Sequence, residues 1–142
     1  MVRTINQLDS LEVMALTVWG EARGEDDIGR CAVAWVIRNR AERPGYDWWG
    51  NTISEVCLKP WQFSVWNAGD PNRAKMLDLA PNDPLLTHMR ALCKRVLEGS
   101  IPDPTRGCSH YCRRDSYPTW KIGRSPRFSH GNHEFFAIGP GA

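Results

Sequence analysis

Two carboxylates four residues apart, Glu21 and Glu25, have the surroundings in which a side chain could do chemistry. Glu21 follows Val18 and Trp19 at the end of an apolar helical pattern. Burial among apolar groups raises the pKa of a carboxylic acid because it disfavours the charged form. A glycosidase needs such a group, still protonated near neutral pH, to protonate the leaving oxygen. A structural alternative is a helix-end carboxylate bonded to Arg23, and we expect Glu25 to cap or ion-pair at the next helix start.

Seven tryptophans are an unusually large number for a chain of 142 residues. Trp19 and Trp35 lie in helical apolar patterns, and we expect them in the core. Gln62-Phe63-Ser64 could hydrogen-bond sugar hydroxyls or N-acetyl groups, or belong to an ordinary loop. The other five tryptophans lie in irregular or glycine- and proline-rich stretches, where a flat ring can stack on a sugar: Trp48, Trp49, Trp61, Trp66 and Trp120.

The cysteines and histidines near the C-terminus allow competing hypotheses. Cys108, His110 and Cys112 alternate, which on a strand would place them on one face, with His133 as a fourth zinc ligand. Strong structural zinc patterns use paired Cys-x2-4-Cys and His-x3-5-His units instead, so small buried residues are the alternative. A Cys–His nucleophile of an amidase or peptidase is conceivable, but nothing in the sequence marks one cysteine as activated. We predict no metal and no cofactor.

Length and composition predict one globular domain over residues 1–142, and we expect a monomer. The formal charge of +2 is too small to indicate nucleic-acid binding. No apolar run approaches the roughly 20 residues of a membrane span. The N-terminus lacks the apolar core of a signal peptide, so we expect the protein to remain where it is made. An odd cysteine number favours free thiols in a reducing compartment.

Three segments have the apolar period of a helix. The first starts at a cap formed by Asp9 or Ser10 and runs to about residue 21 or 22, and the second runs from after Asp26-Asp27 to residue 40 or 43. The third covers residues 85–97, with Gly99 as its stop. Residues 44–84 are predicted to be largely irregular, with short helices near 52–57 and 72–79. Residues 108–112 and 133–138 predict a small β-ribbon on a mainly α fold.

Taken in order, segments spanning about residues 11–138 resemble the SleB/CwlJ-type cell-wall hydrolases, a family named for spore-cortex-lytic enzymes and also found among bacteriophage lysins. The segments are Val18 to Glu25, Gly29 with Ala32 to Arg40, Gln62-Phe63-Ser64, Gly99-Ser100, Asp103-Pro104-Thr105, Ser109-His110-Tyr111, Pro118-Thr119-Trp120 and Gly131 to Phe136.

This resemblance implies a lysozyme-like (α+β) domain in which the first glutamate of the EARGE motif, here Glu21, is the general acid. The implied substrate is the β-1,4 bond between N-acetylmuramic acid and N-acetylglucosamine in the glycan strands of bacterial peptidoglycan. Some members cleave it as lytic transglycosylases and leave a 1,6-anhydro end. We expect the following residues to bind the glycan: Trp61, Gln62, Phe63, Ser64, Trp66, His110, Tyr111, Trp120 and His133.

Two departures from the family pattern affect the interpretation. The chain shows neither the signal sequence nor the wall-binding repeats of secreted members. We therefore expect a phage-type lysin that reaches the wall with a holin-type, membrane-permeabilising partner, or a virion-borne enzyme. Cys112 replaces a frequent aromatic residue.

The second catalytic group is open at this stage. Hydrolysis needs another carboxylate, for which Glu25 and Asp47 are candidates, whereas attack by the muramyl 6-hydroxyl needs none. The rival classes are a metal- or thiol-dependent wall amidase or peptidase and a non-catalytic glycan-binding module built on the tryptophans.

Overall fold

The structure, a computed structural model, describes residues 4–43 and 49–139 of the chain. Within these ranges the chain forms five α-helices and three short β-strands. The elements are α1 (Ser10–Ala22), α2 (Asp27–Glu42), α3 (Ile53–Leu58), α4 (Pro71–Leu77), α5 (Pro84–Glu98), β1 (His110–Arg113), β2 (Phe128–His130) and β3 (His133–Phe136). The mainly α architecture with a small sheet, predicted from the sequence, is confirmed. No helix in the described ranges has the length and apolar character to cross a membrane.

Each α-helix begins at a side chain that accepts a hydrogen bond from a free backbone N–H of the first turn. Asp9 accepts from the N–H of Glu12 at 2.8 Å and Asp26 from that of Gly29 at 3.0 Å. This satisfies donors that have no partner inside the helix and places a negative charge at the positive end of its dipole. The predicted starts of α1 and α2 are therefore confirmed. The same arrangement begins the other three helices, at Thr52, Asp70 and Asp83.

Helix α1 runs through the centre of the molecule. Every residue from 13 to 19 is buried, and the helix packs against α2, α3, α4 and α5. A helix that is apolar all round is stable only when other elements surround it. Its last turn, which contains Glu21, leaves the core at a surface cleft.

The segment between α2 and α5 is more regular than predicted. Residues 44–48, which include Asp47 and Trp48, lie outside the described residues. The remainder forms α3, α4 and a 3-10 turn at Ser64–Trp66, so both short helices suggested by the sequence are present. The turn packs against α1 and α4.

The C-terminal sheet has three antiparallel strands in the order β1-β3-β2, where the sequence predicted a two-segment ribbon. The additional strand β2 pairs with β3, with Phe128 opposite Phe135. Strand β1 begins at His110, so Cys108 precedes it, and the predicted three-residue face is reduced to His110 and Cys112. Because β1 is an edge strand, side chains from both of its faces reach the neighbouring cleft.

Candidate active site

A cleft of about 720 Å³ lies between the end of α1 and the edge of the sheet. The helical side contributes Glu21 and the segment of residues 61–64. The sheet side contributes His110, Tyr111, Trp120 and His133. Nine of the ten residues expected in the site therefore line one cleft, although they come from five separate parts of the chain. The fold thus brings carboxylate, imidazole, amide and aromatic side chains together in one cleft.

Glu21 is held in the cleft by a contact from the far end of the chain. The Tyr111 hydroxyl donates a hydrogen bond to Glu21 Oε1 at 2.5 Å. Burial raises the pKa of Glu21 above its ordinary value of 4.5, and the negative charge of Asp70 acts in the same direction. The Tyr111 hydrogen bond and the positive charge of Arg40 oppose this rise without cancelling it. Glu21 is therefore a carboxylic acid that retains its proton to a higher pH than an exposed glutamate.

Tyr111 is itself fixed as a hydrogen-bond donor. Burial and the neighbouring Glu21 hold the pKa of its hydroxyl well above the ordinary value of 10. Its ring makes an edge contact with His133, centroid to centroid 5.4 Å, and a tilted contact with Phe135 at 5.6 Å. The neutral hydroxyl held in this way donates a hydrogen bond to Glu21.

The second carboxylate of the cleft, Glu25, has a different environment. It accepts hydrogen bonds from the backbone N–H of Asn132 at 3.0 Å and from the Asn132 amide at 3.2 Å. Burial, the largest single influence, works to raise the pKa of Glu25, but the hydrogen bonds from Asn132 and the interaction with His133 together outweigh it, and the pKa is lowered. Glu25 therefore fastens the β2–β3 turn to the end of α1 as an ionised group. The expected helix-capping role belongs to Asp26 instead.

Two cleft histidines are neutral near pH 7. Burial, with the charges of Arg40 and Arg124, lowers the pKa of His110 to about 4. Burial also lowers the pKa of His133, although its Nδ1 lies 3.3 Å from Glu25 Oε1. That distance is within ion-pair range, but the two atoms are not aligned as a hydrogen bond. We therefore treat the contact as one between a neutral ring and a carboxylate.

The rim of the cleft contains an aromatic ring in an unusual conformation. Trp61 has a backbone φ of 68° and its side chain is 81% exposed. A non-glycine residue in this left-handed region costs about 1–2 kcal/mol. The ring stands in solvent over the cleft, where it can be covered by a sugar face.

Gly20, in the last turn of α1, allows the segment that contains Val65 to pack closely against the helix. A Cβ added to Gly20 would lie 2.6 Å from Val65 Cβ, closer than side chains can pack. The absence of a side chain at this position therefore sets the distance between Glu21 and residues 61–64.

Two of the tryptophans proposed for stacking are core residues. Trp66 does not line the cleft: it is 8% exposed, and its indole N–H donates to the Thr17 hydroxyl at 2.8 Å. Trp49 is fully buried, and its indole N–H donates to the Arg40 carbonyl at 3.1 Å. Neither ring can stack on a glycan in this conformation.

The described residues give little support to metal or thiol chemistry. They contain no cluster of three or more His, Cys, Asp or Glu side chains arranged to hold a metal ion. Burial raises the pKa of Cys31 to about 11 and that of Cys57 to about 12, and raises the pKa of Cys108 and Cys112 as well. A thiol must lose its proton to act as a nucleophile or a ligand, and none of these is activated.

Comparison with known proteins gives a consistent result. The sequence profile described as Cell Wall Hydrolase matches residues 24–136, which is most of the chain. The chain belongs to this family. The match begins just after Glu21, so the case for that residue rests on its geometry.

Relatives of this cell wall hydrolase include spore cortex-lytic enzymes. One from Halalkalibacterium halodurans is 30% identical over 128 residues, which covers 89% of this chain and 34% of the relative. One from Bacillus cereus is 30% identical over 130 residues, covering 89% of this chain and 44% of the relative. The chain thus spans between a third and a half of the length of these relatives.

Two solved structures match the fold of this cell wall hydrolase. The catalytic domain of the Bacillus cereus SleB protein has a TM-score of 0.65 at 28% identity, with 89% of this chain and 88% of that chain covered. The catalytic domain of the germination-specific lytic transglycosylase SleB from Bacillus anthracis has a TM-score of 0.68 at 28% identity, with 94% and 95% covered.

Sequence reasoning missed two polar residues that line the cleft of this cell wall hydrolase. Arg40, in the last turn of α2, was not among the expected site residues, yet it is 6% exposed and lines the cleft. Its spacing from Val33 and Val36, which are both buried, was an available signal that it faces inward. Asn132 binds Glu25 from 107 positions along the chain, and no local pattern indicates such a contact.

Proposed function

We propose that this cell wall hydrolase cleaves the β-1,4 bond between N-acetylmuramic acid and N-acetylglucosamine in peptidoglycan, with Glu21 as the general acid and by the lytic transglycosylase route. The observation that carries this proposal is the partly buried Glu21, whose pKa burial raises and which the Tyr111 hydroxyl holds in a cleft lined with polar and aromatic groups. The structurally similar SleB from Bacillus anthracis is a lytic transglycosylase, which supports the same reaction class.

The first step is proton donation. Glu21 gives its proton to the glycosidic oxygen, the C1–O bond breaks, and an oxocarbenium-like centre forms at the muramyl C1. The Tyr111 hydroxyl keeps its hydrogen bond to Glu21 throughout, so the carboxylate that forms is stabilised where it stands. Trp61 and Trp120 offer aromatic faces to the sugars on the two sides of the cleft.

The second step completes the transfer without water. The muramyl 6-hydroxyl attacks C1, a C1–O6 bond forms, and the hydroxyl proton passes to the Glu21 carboxylate. The sugar leaves with a 1,6-anhydro ring and Glu21 is protonated again.

The state of the second carboxylate favours this route over hydrolysis. Among the described residues, Glu21 and Glu25 are the only carboxylates that line the cleft. Both oxygens of Glu25 accept hydrogen bonds from Asn132. A hydrolase needs a free carboxylate to activate water, whereas Glu25 is already engaged with the sheet.

The proposal is tested by mass spectrometry of the fragments that the protein releases from purified peptidoglycan. Wild type is compared with Glu21→Gln and with Glu98→Gln, the same change at an exposed carboxylate outside the cleft. We expect anhydro-muropeptides from wild type and from Glu98→Gln, and none from Glu21→Gln. Reducing-end muropeptides would mean hydrolysis. Free stem peptides from all three proteins would mean that Glu21 is not involved.

The biological setting stays a prediction. A phage-type lysin that depends on a holin-type partner would lyse bacteria from within only when a membrane-permeabilising protein is expressed beside it. Lysis by this protein alone would contradict that dependence. The predictions of a single domain, a monomer and no nucleic-acid partner also remain predictions.

A further inference from the structure

Arg40 is a buried cation that forms no ion pair with a carboxylate of residues 4–43 and 49–139. It stands near the end of α2, is 6% exposed and contributes to the lining of the cleft. Its Nε donates to the Ser109 carbonyl at 2.7 Å, and its guanidinium lies over the rings of Trp49, at 4.7 Å, and Phe63, at 5.6 Å. Its Nη1 is buried and has no hydrogen-bond partner in the structure, and no carboxylate in the described ranges forms an ion pair with it.

A buried cation of this kind destabilises the folded state unless a negative charge lies beside it. Burial lowers the pKa of Arg40 to about 10, so it remains charged at neutral pH. One hydrogen bond and two ring contacts offset only part of the loss of hydration, because a charge out of water needs a partner of opposite sign. The two rings and the Ser109 carbonyl therefore explain how the Arg40 side chain is held in place. They do not explain why a charged residue occupies this position.

The titratable groups near Arg40 and Glu21 indicate which of them can supply the negative charge. Cys57 from α3, Tyr111 and His110 from β1, and His133 from β3 are neutral at pH 7, as their shifted pKa values indicate. Glu25 is bound to Asn132. Asp70, the cap of α4, accepts from the backbone N–H of Asn72 at 2.8 Å. The remaining group is Glu21, which interacts with Arg40 and whose own charge changes during the proposed reaction.

We propose that Arg40 is a positioning residue that supplies the counter-charge for the Glu21 carboxylate in the interval between its two proton transfers. The inference rests on the proposed function. While Glu21 is protonated, Arg40 has no negatively charged partner among the residues that the structure describes. When Glu21 has given its proton to the leaving oxygen, the carboxylate and the guanidinium neutralise each other, and the charge separation that accompanies the oxocarbenium-like centre is reduced. When the proton returns from the muramyl 6-hydroxyl, the resting state is restored.

The first test is kinetic and compares Arg40→Gln with Arg40→Lys. Gln retains an amide donor but not the charge, whereas Lys retains the charge. We expect Arg40→Gln to lower kcat at least about tenfold, with KM within about twofold of wild type, and to move the alkaline limb of the pH–rate profile upward, because Glu21 then ionises less readily. Arg40→Lys should retain most of the wild-type kcat, and the alkaline limb of its pH–rate profile should lie at the wild-type position. An increase in KM with kcat unchanged would mean that Arg40 binds the glycan instead, and would overturn the proposal.

The second test needs no substrate and separates this inference from the proposed function. Thermal unfolding is measured for wild type, Glu21→Gln, Arg40→Gln and the double variant, at alkaline and at acid pH. At alkaline pH, Arg40→Gln should lower the melting temperature more in the wild-type background than in the Glu21→Gln background, and in acid the difference should vanish. An equal loss in both backgrounds at alkaline pH would overturn the pairing. If Arg40→Gln does not fold, Arg40→Met replaces it in the double-variant comparison. If neither substitution folds, in the wild-type or in the Glu21→Gln background, Arg40 has a purely structural role and the proposal is overturned.

Discussion

Removal of a single hydroxyl, in Tyr111→Phe, tests whether the proton on Glu21 is the one used in the reaction. The hydroxyl donates to Glu21 Oε1 at 2.5 Å and works to lower the pKa of Glu21. The ring can remain in place, because its contacts with His133 and Phe135 do not use the hydroxyl. Phenylalanine therefore changes the acidity of Glu21 with little change in the shape of the cleft.

The size of the effect follows from the difference between two hydrogen bonds. A bond to a charged acceptor contributes about 1.5–3 kcal/mol and one to a neutral acceptor about 0.5–1.5 kcal/mol. Loss of the hydroxyl therefore disfavours the carboxylate over the acid by about 1 kcal/mol, which displaces its titration by roughly 0.7 of a pH unit. The sign is upward, because the lost bond stabilised the ionised form.

The assay is the pH dependence of kcat/KM for release of soluble muropeptides. We expect the alkaline limb of Tyr111→Phe to lie about 0.7 of a pH unit above that of wild type. The maximal rate should fall several-fold, because a weaker acid protonates the leaving oxygen less readily. Tyr117→Phe is the matched control, because Tyr117 is 78% exposed and does not line the cleft. A limb that stays in place or moves to lower pH, in a variant that is folded, would refute the assignment of Glu21 as the acid.

Two further changes have expected outcomes that separate stability from function. Trp61→Gly relieves a backbone with φ of 68° at a side chain that is 81% exposed, so calorimetry should find the melting temperature nearly unchanged. KM for peptidoglycan should rise about tenfold from a loss of roughly 1.4 kcal/mol of ring stacking, and an unchanged KM would mean that the ring does not touch the glycan. Glu21→Gln removes a group whose pKa is raised by burial from 4.5. Ionising that group costs the folded state stability as the pH rises above this value. The melting temperature of the variant should therefore be higher than that of wild type at alkaline pH, and the two should be equal at a pH below 4.5. Equal melting temperatures at alkaline pH would contradict a raised pKa of Glu21.

The helices could be predicted because their signals are local. Asp9 and Asp26 precede the apolar patterns of α1 and α2, and each forms the cap that its position indicated. Strand β2 could not be predicted in the same way. Its three residues are too few to show a period, and they are extended because β3 offers them backbone partners.

Local composition also fails where two similar residues have different tertiary partners. Trp61 and Trp66 stand five positions apart in the same aromatic segment, and both were expected to bind glycan. Thr17 in the core accepts the indole N–H of Trp66, whereas the backbone conformation of Trp61 holds its ring in solvent. A sequence pattern identifies the segment as a site wall, but the partners decide which ring faces the glycan.

The same reasoning explains why two carboxylates four residues apart acquire opposite properties. Each follows a glycine, Glu21 in the last turn of α1 and Glu25 just after the helix ends. Tyr111, 90 positions away, gives Glu21 one hydrogen bond, which does not overcome the effect of burial on its pKa. Asn132, 107 positions away, gives Glu25 two hydrogen bonds, and together with the interaction with His133 these outweigh burial and lower its pKa. Tyr111 lies in β1 and Asn132 in the β2–β3 turn, so the position of the sheet against the end of α1 gives the two carboxylates their different partners. The small C-terminal sheet is therefore part of the acid–base chemistry as much as α1, which contains Glu21 and ends three residues before Glu25.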